Sequence, residues 1–552
     1  MSADAIAIHG HVYQPPRADP RTGDVPVEPT AAPFHDWNAR ITAECYRPNA
    51  FARIYDEQGR VERIVNNYGL MSFNLGPTLA HWLDDSAPDV LARMTQGDRA
   101  GRTAIAHPFH HAILALCHVA DARTELRWGR ADFRRRFGRE PEGVWLPETG
   151  VDAWVLDLVA AEGFGFTILA PSQVASPVPA GAVGRWQQPG GRELDLVVYD
   201  GAISHDIAFG GALHHTGALV DRLAGGADGG LVVAATDAET FGHHHRFTER
   251  AIAHALGMEA PARGIRSGGL SGLLELAPRV PVDSVWPSAW SCAHGLGRWR
   301  RDCGCSTDGG AGWHQRWREP LRDALVLLRA HSVDVFARRG AEIFHDPWAA
   351  RDGFGDVLAD PDAWDDFVDA HVRPATSEGV ARALLDSQEA TLASFTSCAW
   401  FFADLARREV AIVLQEALRS IELLRSIGED PPLAEALDTL ALAESNDPDL
   451  PTGREVWAWA TDHPSPGDWP PSPTRPLTTL LDELIGAAIG GDPSARERAM
   501  ALAALLIDRE GPDSCASAQE QVYEAILAGD NATRDWLEPL GITLRLAVPT
   551  PR

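Results

Sequence analysis

The chain has 552 residues, of which 45% are hydrophobic and 18 are tryptophan, so it is long enough for two or more domains with large cores. Its 77 acidic and 49 basic residues give a formal charge of -28, which argues against a nucleic-acid or anionic-membrane partner because a polyanion would be repelled. A neutral substrate is easier to accommodate.

The N-terminus and the apolar stretches indicate where the protein is located. The first residues, MSADAIAIHGHVYQPPR, have neither the basic start nor the apolar block of a signal peptide. No stretch approaches the roughly 18 consecutive apolar residues of a membrane span. We therefore expect a cytoplasmic protein.

From the start to about residue 240, short apolar runs alternate with helical stretches, which is typical of parallel strands covered by helices. Helices are predicted between the strands, for example over 41–59 and 151–163. Polar residues gather where most of the strands end, which favours a (β/α)7 barrel, a distorted TIM-like fold, over an open sheet. The seven candidate strands cover residues 5–10, 63–73, 103–108, 143–148, 166–171, 194–200 and 231–237.

After Asp237 the pattern changes to a Gly- and Pro-punctuated connection over 259–283, a tryptophan-rich segment, and then helices beyond Pro320. We predict a catalytic barrel domain of residues 1–285 and a mainly α-helical C-terminal domain of residues 286–552 that completes the substrate cleft. The Pro-rich residues 462–476 are expected to form a loop or linker between two helical groups.

Two acidic residues are the leading candidates for chemistry. Glu148 follows the apolar run Val144–Leu146 almost directly, and Asp237 ends the apolar run of 231–237. Each alone is equally well explained as a solvated or helix-capping carboxylate. Together, at the ends of two strands, they are what a glycosidase needs. Glu239 is expected either to raise the pKa of Asp237 or to be a structural partner of the histidines that follow it.

Histidines and cysteines raise the question of a metal. His9 and His11 alternate along the first strand and point to one side, so they could hydrogen-bond sugar hydroxyls with help from Gln14, or be satisfied strand-end histidines, or ligate zinc. The cysteines number seven, an odd count unlike a secreted disulfide framework. The cysteines that lie closest together in the sequence lack a paired CxxC, so packing and free thiols are favoured over a metal site for them. This set is Cys292, Cys303 and Cys305.

Three motifs, HGHVYQPPR, GVWLPE and DAETFGHHH, resemble glycoside hydrolase family 57 in their order and spacing. FHDWNARITAECYRP, SAWSCAHGLGRWRRDCG and FTSCAWFFADLARREV extend the resemblance to a subgroup with a helical C-terminal domain of unsettled function. The resemblance implies a retaining enzyme with Glu148 as nucleophile, Asp237 as general acid/base and His243 at the border of the site. In such a mechanism the two carboxyl groups stand about 5 to 5.5 Å apart.

The other candidate substrate-binding residues are aromatic or acidic. Trp145, Trp290 and Trp400 are candidates for stacking on a glucan, because flat rings bury the apolar faces of pyranoses, although core packing explains most of the tryptophans. Asp404 is expected either to bind a hydroxyl or to cap a helix.

The sequence thus predicts a retaining enzyme that acts on α-1,4-glucosidic bonds of an α-glucan or malto-oligosaccharide, as an amylase, 4-α-glucanotransferase or branching enzyme. No cofactor and no metal are expected. The alternative is a zinc-dependent polysaccharide deacetylase or mannosidase-like hydrolase, with His9, His11 and Asp237 as ligands. A non-catalytic glucan-binding protein is disfavoured because both carboxylates are present.

Overall fold

The computed structural model describes residues 2–188, 190–374, 376–462 and 477–547. The predicted Pro-rich loop 462–476 lies outside the described residues, except for Asp462. The strands are β1 (Ala5–Val12), β2 (Ala52–Tyr55), β3 (Val61–Val65), β4 (Ser72–Leu75), β5 (Ala104–Ile105), β6 (Gly143–Val144), β7 (Phe166–Leu169), β8 (Val183–Gln187), β9 (Glu193–Val198), β10 (Leu231–Asp237), β11 (Arg266–Ser267) and β12 (Arg279–Pro281).

Seven parallel strands close into a barrel in the order β10, β1, β4, β5, β6, β7, β9. A single bridge between Ala106 and Val144 joins β5 to β6. The last gap is closed by a 2.7 Å hydrogen bond from the Asp200 amide to the Val233 carbonyl. This arrangement confirms the predicted (β/α)7 barrel. Because all seven strands run the same way, their carboxyl ends meet at one rim.

Two predicted elements in the first 75 residues were wrong in part. The predicted strand 63–73 is divided, because β3 ends at Val65 and a short turn precedes β4. β3 instead pairs antiparallel with β2 as a separate hairpin. The predicted helix 41–59 is helical only to Ala50, and β2 occupies part of the remainder. A strand that was not predicted, β8, pairs antiparallel with β9.

Helices cover the barrel and form most of the chain beyond Arg318 that the structure describes. The predicted helix of 151–163 is confirmed as α6, and its buried face packs into the barrel core. The helices are α1 (Trp37–Ile41), α2 (Arg47–Ala50), α3 (Pro77–Ser86), α4 (Pro88–Gly101), α5 (Val119–Phe137), α6 (Ala153–Ala161), α7 (Gly201–Phe209), α8 (Thr216–Ala224), α9 (Thr248–His254), α10 (Ala260–Ala262), α11 (Leu270–Leu273), α12 (Arg318–Ile343), α13 (Pro347–Gly353), α14 (Gly355–Ala359), α15 (Trp364–His371), α16 (Glu378–Ala393), α17 (Cys398–Phe401), α18 (Arg408–Ser426), α19 (Leu433–Leu440), α20 (Gly453–Asp462), α21 (Leu477–Ile489), α22 (Pro493–Glu510), α23 (Ala516–Ala528) and α24 (Asn531–Thr543).

The helical region has two parts with separate cores. α12 packs with α16, α18 and α19, and α18 buries an apolar face that runs along the helix. α21 to α24 share another core, which the hairpin of β2 and β3 joins through Val61. Arg53 of β2 pairs with Glu520 of α23 at 2.9 Å. In the described parts of the chain, no helix combines the length and apolar character needed to cross a bilayer.

Candidate active site

Glu148 lies in a one-turn helix, Pro147–Thr149, that follows β6. Its backbone is left-handed, with φ 57° and ψ 21°, a conformation that typically costs a non-glycine residue about 1–3 kcal/mol. The amide of Trp290 donates to the Glu148 carbonyl at 3.1 Å. The Glu148 carboxylate accepts hydrogen bonds from the Trp290 indole at 3.1 Å and the Ser291 hydroxyl at 2.7 Å. These contacts fix the direction in which the carboxylate points.

Asp237 is the last residue of β10, where it pairs in register with His11 of β1. Its side chain is exposed, and no described residue donates a hydrogen bond to its carboxylate. Asp237 and Glu148 therefore end two strands of the same barrel, as the sequence predicted, but their carboxylates have different surroundings.

Both acids open onto one cavity at the rim, with a volume of about 500 Å³. This size falls within the usual range of small-molecule sites, about 300–1,000 Å³. Aromatic side chains form much of its wall, which suits the apolar faces of a sugar. The cavity is lined by Glu148, Ala170, Pro171, Ser172, Tyr199, Gly201, Ser204, His205, Ala208, Phe209, Ala235, Thr236, Asp237, Trp290, Ser291 and Phe401.

The two carboxyl groups hold their protons differently. The protein around the cavity removes water from Asp237 and so raises the pKa of its carboxyl group well above the usual range, although some solvent reaches the group through the cavity. The negative charges of Glu239 and Glu148 raise this pKa further. Burial also raises the pKa of Glu148, but the hydrogen bonds from Ser291 and Trp290 oppose it. The arrangement favours a protonated Asp237 beside an ionised Glu148.

Glu239 is held behind Asp237. It is buried, and its Oε1 accepts hydrogen bonds from Gln14 at 2.8 Å and from the Tyr46 hydroxyl. Gln14 was predicted to bind substrate, but its amide is committed to Glu239 and it does not line the cavity. Glu239 was also predicted to be a structural partner of the histidines that follow it. Its hydrogen bonds to them are made by the backbone, where the Glu239 carbonyl accepts from the amides of His243 and His244.

His9 and His11 are buried and do not form part of the cavity wall. The ring nitrogens of His9 lie 3.0 Å from Ser72 Oγ and 3.1 Å from Asn74 Oδ1, and Nδ1 of His11 also lies 3.1 Å from Asn74 Oδ1. Burial lowers the pKa of His9 to about 3 and that of His11 to about 4, so both rings are neutral. Trp145 has no exposed surface and stacks on both rings at 5.0 Å, so its expected role as a sugar platform is wrong.

The ligand set of the zinc alternative is not assembled. His9, His11 and Asp237 do not form a group of possible metal ligands among the described residues. His11 instead meets His107 and His111, with one ring nitrogen of each within 4.8 Å of the others. Neither His107 nor His111 was a candidate site residue in the sequence, because both follow β5 in a segment without regular secondary structure.

Three further predicted substrate-binding residues lie away from the cavity. Trp400 has no exposed surface, and its indole donates to the Arg318 carbonyl at 3.1 Å, so it belongs to the helical core. Asp404 is buried and accepts hydrogen bonds from Ser445 at 2.7 Å and from the Asn446 amide at 2.6 Å, which makes it a structural cap. His243 contacts Glu44 and does not line the cavity.

Several lining residues were missed in the sequence. Ser291 follows the predicted Trp290, but nothing in its type marks it as a partner of Glu148. Phe209 ends α7 and is 78% exposed, and Phe401 ends α17 in the helical region. Phe209 could have been noticed as a phenylalanine in the helix that follows a barrel strand. Its exposure at the rim becomes clear only when the position of α7 is known.

A second cavity, of about 210 Å³, lies between α5 and α12. Its acidic residues are already paired, because Asp121 contacts Arg329 at 2.6 Å and Glu125 contacts His110 at 2.8 Å. It therefore offers no free carboxylate for acid–base chemistry.

The barrel and the helical region each match a known family. Residues 28–259 match the model described as glycosyl hydrolase family 57, and residues 313–462 match a domain of unknown function, DUF3536. The barrel part of the chain is thus similar to glycosyl hydrolase family 57. No curated protein matches the sequence.

Solved structures with this fold include an amylase and two enzymes described as family 57 branching enzymes. An exo-type maltose-forming amylase from Pyrococcus sp. ST04 has a TM-score of 0.61 and 12% identity, over 98% of this chain and 95% of that chain. A family 57-type branching enzyme from Pyrococcus horikoshii has a TM-score of 0.51 and 12% identity, over 79% of this chain and 94% of that chain. A branching enzyme from Thermococcus kodakaraensis has a TM-score of 0.50 and 14% identity, over the same shares. At these identities the likeness shows a shared fold.

Proposed function

We propose that this protein is a retaining enzyme that acts on the α-1,4 links of α-glucans or malto-oligosaccharides, by hydrolysis or by glycosyl transfer. The observation that carries the proposal is that Glu148 and Asp237 line one cavity while their carboxylates differ in environment. A retaining glycosidase needs this difference, because one carboxyl group must attack as an anion while the other donates a proton.

In the first step, an oxygen of the Glu148 carboxylate attacks the anomeric carbon and forms a glycosyl ester. The glycosidic bond breaks, and the proton of Asp237 passes to the leaving oxygen, which departs as a free hydroxyl of the glucan. The hydrogen bonds from Trp290 and Ser291 reach Oε2 of Glu148, so Oε1 is the oxygen left free to attack.

In the second step, the Asp237 carboxylate takes a proton from water or from an acceptor hydroxyl. The oxygen of that molecule attacks the anomeric carbon, and the bond to Glu148 breaks. Two inversions restore the α configuration. Water as the acceptor gives hydrolysis, whereas a glucan hydroxyl gives transfer.

The cavity wall supports a neutral sugar substrate. Trp290, Phe209 and Phe401 supply aromatic surface, and Tyr199 and Ser204 supply hydroxyls. A neutral glucan is also compatible with the chain charge of -28, and we expect it to be acted on in the cytoplasm without a nucleic-acid or membrane partner.

The test is the activity of Glu148→Gln and Asp237→Asn on malto-oligosaccharides, amylose and glycogen, with products separated by chain length. We expect each variant to lose at least about 10³-fold in kcat, because each removes a group used in both steps. Longer oligosaccharides among the products would identify a transferase, and accumulation of glucose or maltose a hydrolase. The exposed Asp283, replaced as Asp283→Asn, is the control, and unchanged activity in both site variants would refute the proposal.

A further inference from the structure

The segment between β12 and α12 brings four possible metal ligands together outside the catalytic pair. Cys292 and His294 come from one turn, and Cys303 and Cys305 come from another. One ligand atom from each of the four lies within 4.8 Å of the other three. We call these four residues the thiol cluster. The proposed catalytic chemistry does not use it.

The spacing of the ligand atoms fits a single tetrahedral ion. Sγ of Cys292 lies 4.0 Å from Sγ of Cys303, and Nδ1 of His294 lies 3.4 Å from Sγ of Cys305. Zinc bonds of about 2.3 Å to sulfur and 2.0–2.1 Å to nitrogen would place two sulfurs about 3.8 Å apart, and a sulfur and a nitrogen about 3.6 Å apart. A disulfide would require about 2.05 Å, and these cysteines are free.

The backbone around the thiol cluster is shaped to hold it. Gly304 has a φ of +81°, which lets the chain turn back between Cys303 and Cys305. A Cβ atom on Gly297 would lie 3.1 Å from Cβ of Cys303, so the two turns are in close contact. The Arg298 amide donates to Cys292 Sγ at 3.4 Å.

Two buried arginines provide an independent sign of negative charge here. Arg318 has no exposed surface, and its Nη1 lies 3.9 Å from Cys303 Sγ. Arg298 is 6% exposed. Neither forms an ion pair with a carboxylate within 4.0 Å in the part of the chain that the structure describes, and the charges of Glu148 and Asp302 act on them only at longer range. Buried charges need a partner. One Zn²⁺ with three thiolates and a neutral imidazole carries a net charge of -1, which supplies one.

We propose that the thiol cluster binds one zinc ion in a closed Cys3His site. Three thiols lose their protons as the ion binds, and all four coordination positions are filled by protein, as in structural zinc sites. An iron–sulfur cluster fits less well, because two irons would divide the four ligands over a longer span than 4.8 Å.

The ion would fix the wall of the catalytic cavity. Trp290 and Ser291, which donate to Glu148, directly precede Cys292. Arg298 also donates to the carbonyl of Phe401, another lining residue, at 3.0 Å. Zinc at the thiol cluster would therefore fix the segment of Trp290 and Ser291 relative to Phe401 on the other side of the cavity. The metal proposal itself does not depend on the reaction that the cavity performs.

The test is metal analysis of the full chain, purified with a reductant and without chelators. We expect one zinc per chain. Cys303→Ser and Cys305→Ser should lose the zinc, whereas Cys117→Ser, at a cysteine outside the cluster, should retain it. Zinc kept by the two cluster variants would overturn the proposal, because the ion would then be held elsewhere, for example by His11, His107 and His111.

Cobalt exchange into the wild-type chain removes any dependence on how the variants fold. Cobalt(II) in a Cys3His site should give thiolate-to-metal charge-transfer absorption in the near ultraviolet and the visible bands of a tetrahedral ion. Cobalt bound without the thiolate band, no bound metal, iron–sulfur absorption, or a disulfide between Cys292 and Cys303 would each overturn the proposal.

Discussion

Glu239 follows Asp237 by two residues, and after burial its negative charge is the larger of the two charges that raise the pKa of Asp237. Burial raises the pKa of Glu239, and the hydrogen bonds from Tyr46 and Gln14, which hold the side chain in place, oppose that rise by favouring the ionised form. Glu239 thus acts on the proposed general acid without touching the cavity.

The first prediction concerns Glu239→Gln, which removes this charge while keeping an oxygen for Tyr46. The pKa of Asp237 should fall, since the neighbouring anion no longer opposes its ionisation. Asp237 must be protonated to act as an acid, so the basic limb of the kcat/KM profile should move to lower pH. A full pH profile of both proteins tests this. A basic limb that stays in place or moves upward would exclude Glu239 from this role.

The second prediction concerns Ser291→Ala, which removes the 2.7 Å hydrogen bond to Glu148. A buried hydrogen bond to a charged group stabilises that group by about 1.5–3 kcal/mol, and solvent in the cavity reduces this stabilisation. The pKa of Glu148 should rise, moving the acidic limb of kcat/KM upward by up to about one pH unit. The same direction is expected for Trp290→Phe. A lower kcat with an unchanged acidic limb would mean that Ser291 does not act through Glu148.

The third prediction separates two tryptophans that the sequence could not distinguish. Trp400 is fully buried, so Trp400→Ala should lower the free energy of unfolding by about 3–5 kcal/mol. Trp290 lines the cavity and is only partly buried, so Trp290→Ala should reduce activity at a smaller cost in stability. Urea denaturation and malto-oligosaccharide kinetics, measured side by side, distinguish the two. Equal loss of stability in both variants would contradict this assignment.

The fourth prediction concerns Phe209, which is 78% exposed beside the cavity. Phe209→Ala should raise KM for malto-oligosaccharides about five-fold, the equivalent of about 1 kcal/mol of aromatic contact, without lowering Tm. Phe247→Ala, at an exposed phenylalanine away from the cavity, is the matched control. A KM that changes equally in both variants would remove Phe209 from the substrate site.

The barrel and its two acids could be predicted from the sequence because both depend on local features, namely short apolar runs and the acidic residues at their ends. Seven apolar runs specified the strands, and the parallel order placed Glu148 and Asp237 at one rim. The run 63–73 was misread because an antiparallel hairpin strand and a barrel strand follow each other with only a short turn between them.

The rest of the site depends on contacts between segments that are far apart in the sequence, and local sequence patterns do not predict such contacts. Trp145, Trp400 and Asp404 have side chains suited to sugar binding, yet burial and local hydrogen bonds occupy them. Ser291 and Phe209 were missed because only the fold brings them to the cavity. The cysteine set was read as free thiols because its spacing lacks a CxxC, whereas His294 completes a group that only the folded turns assemble.

The most direct test of the central claim is to trap the glycosyl–enzyme intermediate. Asp237→Ala, incubated with an α-maltosyl fluoride whose leaving group needs no acid, should form the ester and hydrolyse it slowly. Peptide mapping by mass spectrometry should then find the maltosyl group on Glu148. Attachment to another residue, or turnover that yields the inverted anomer with no labelled peptide, would contradict the account.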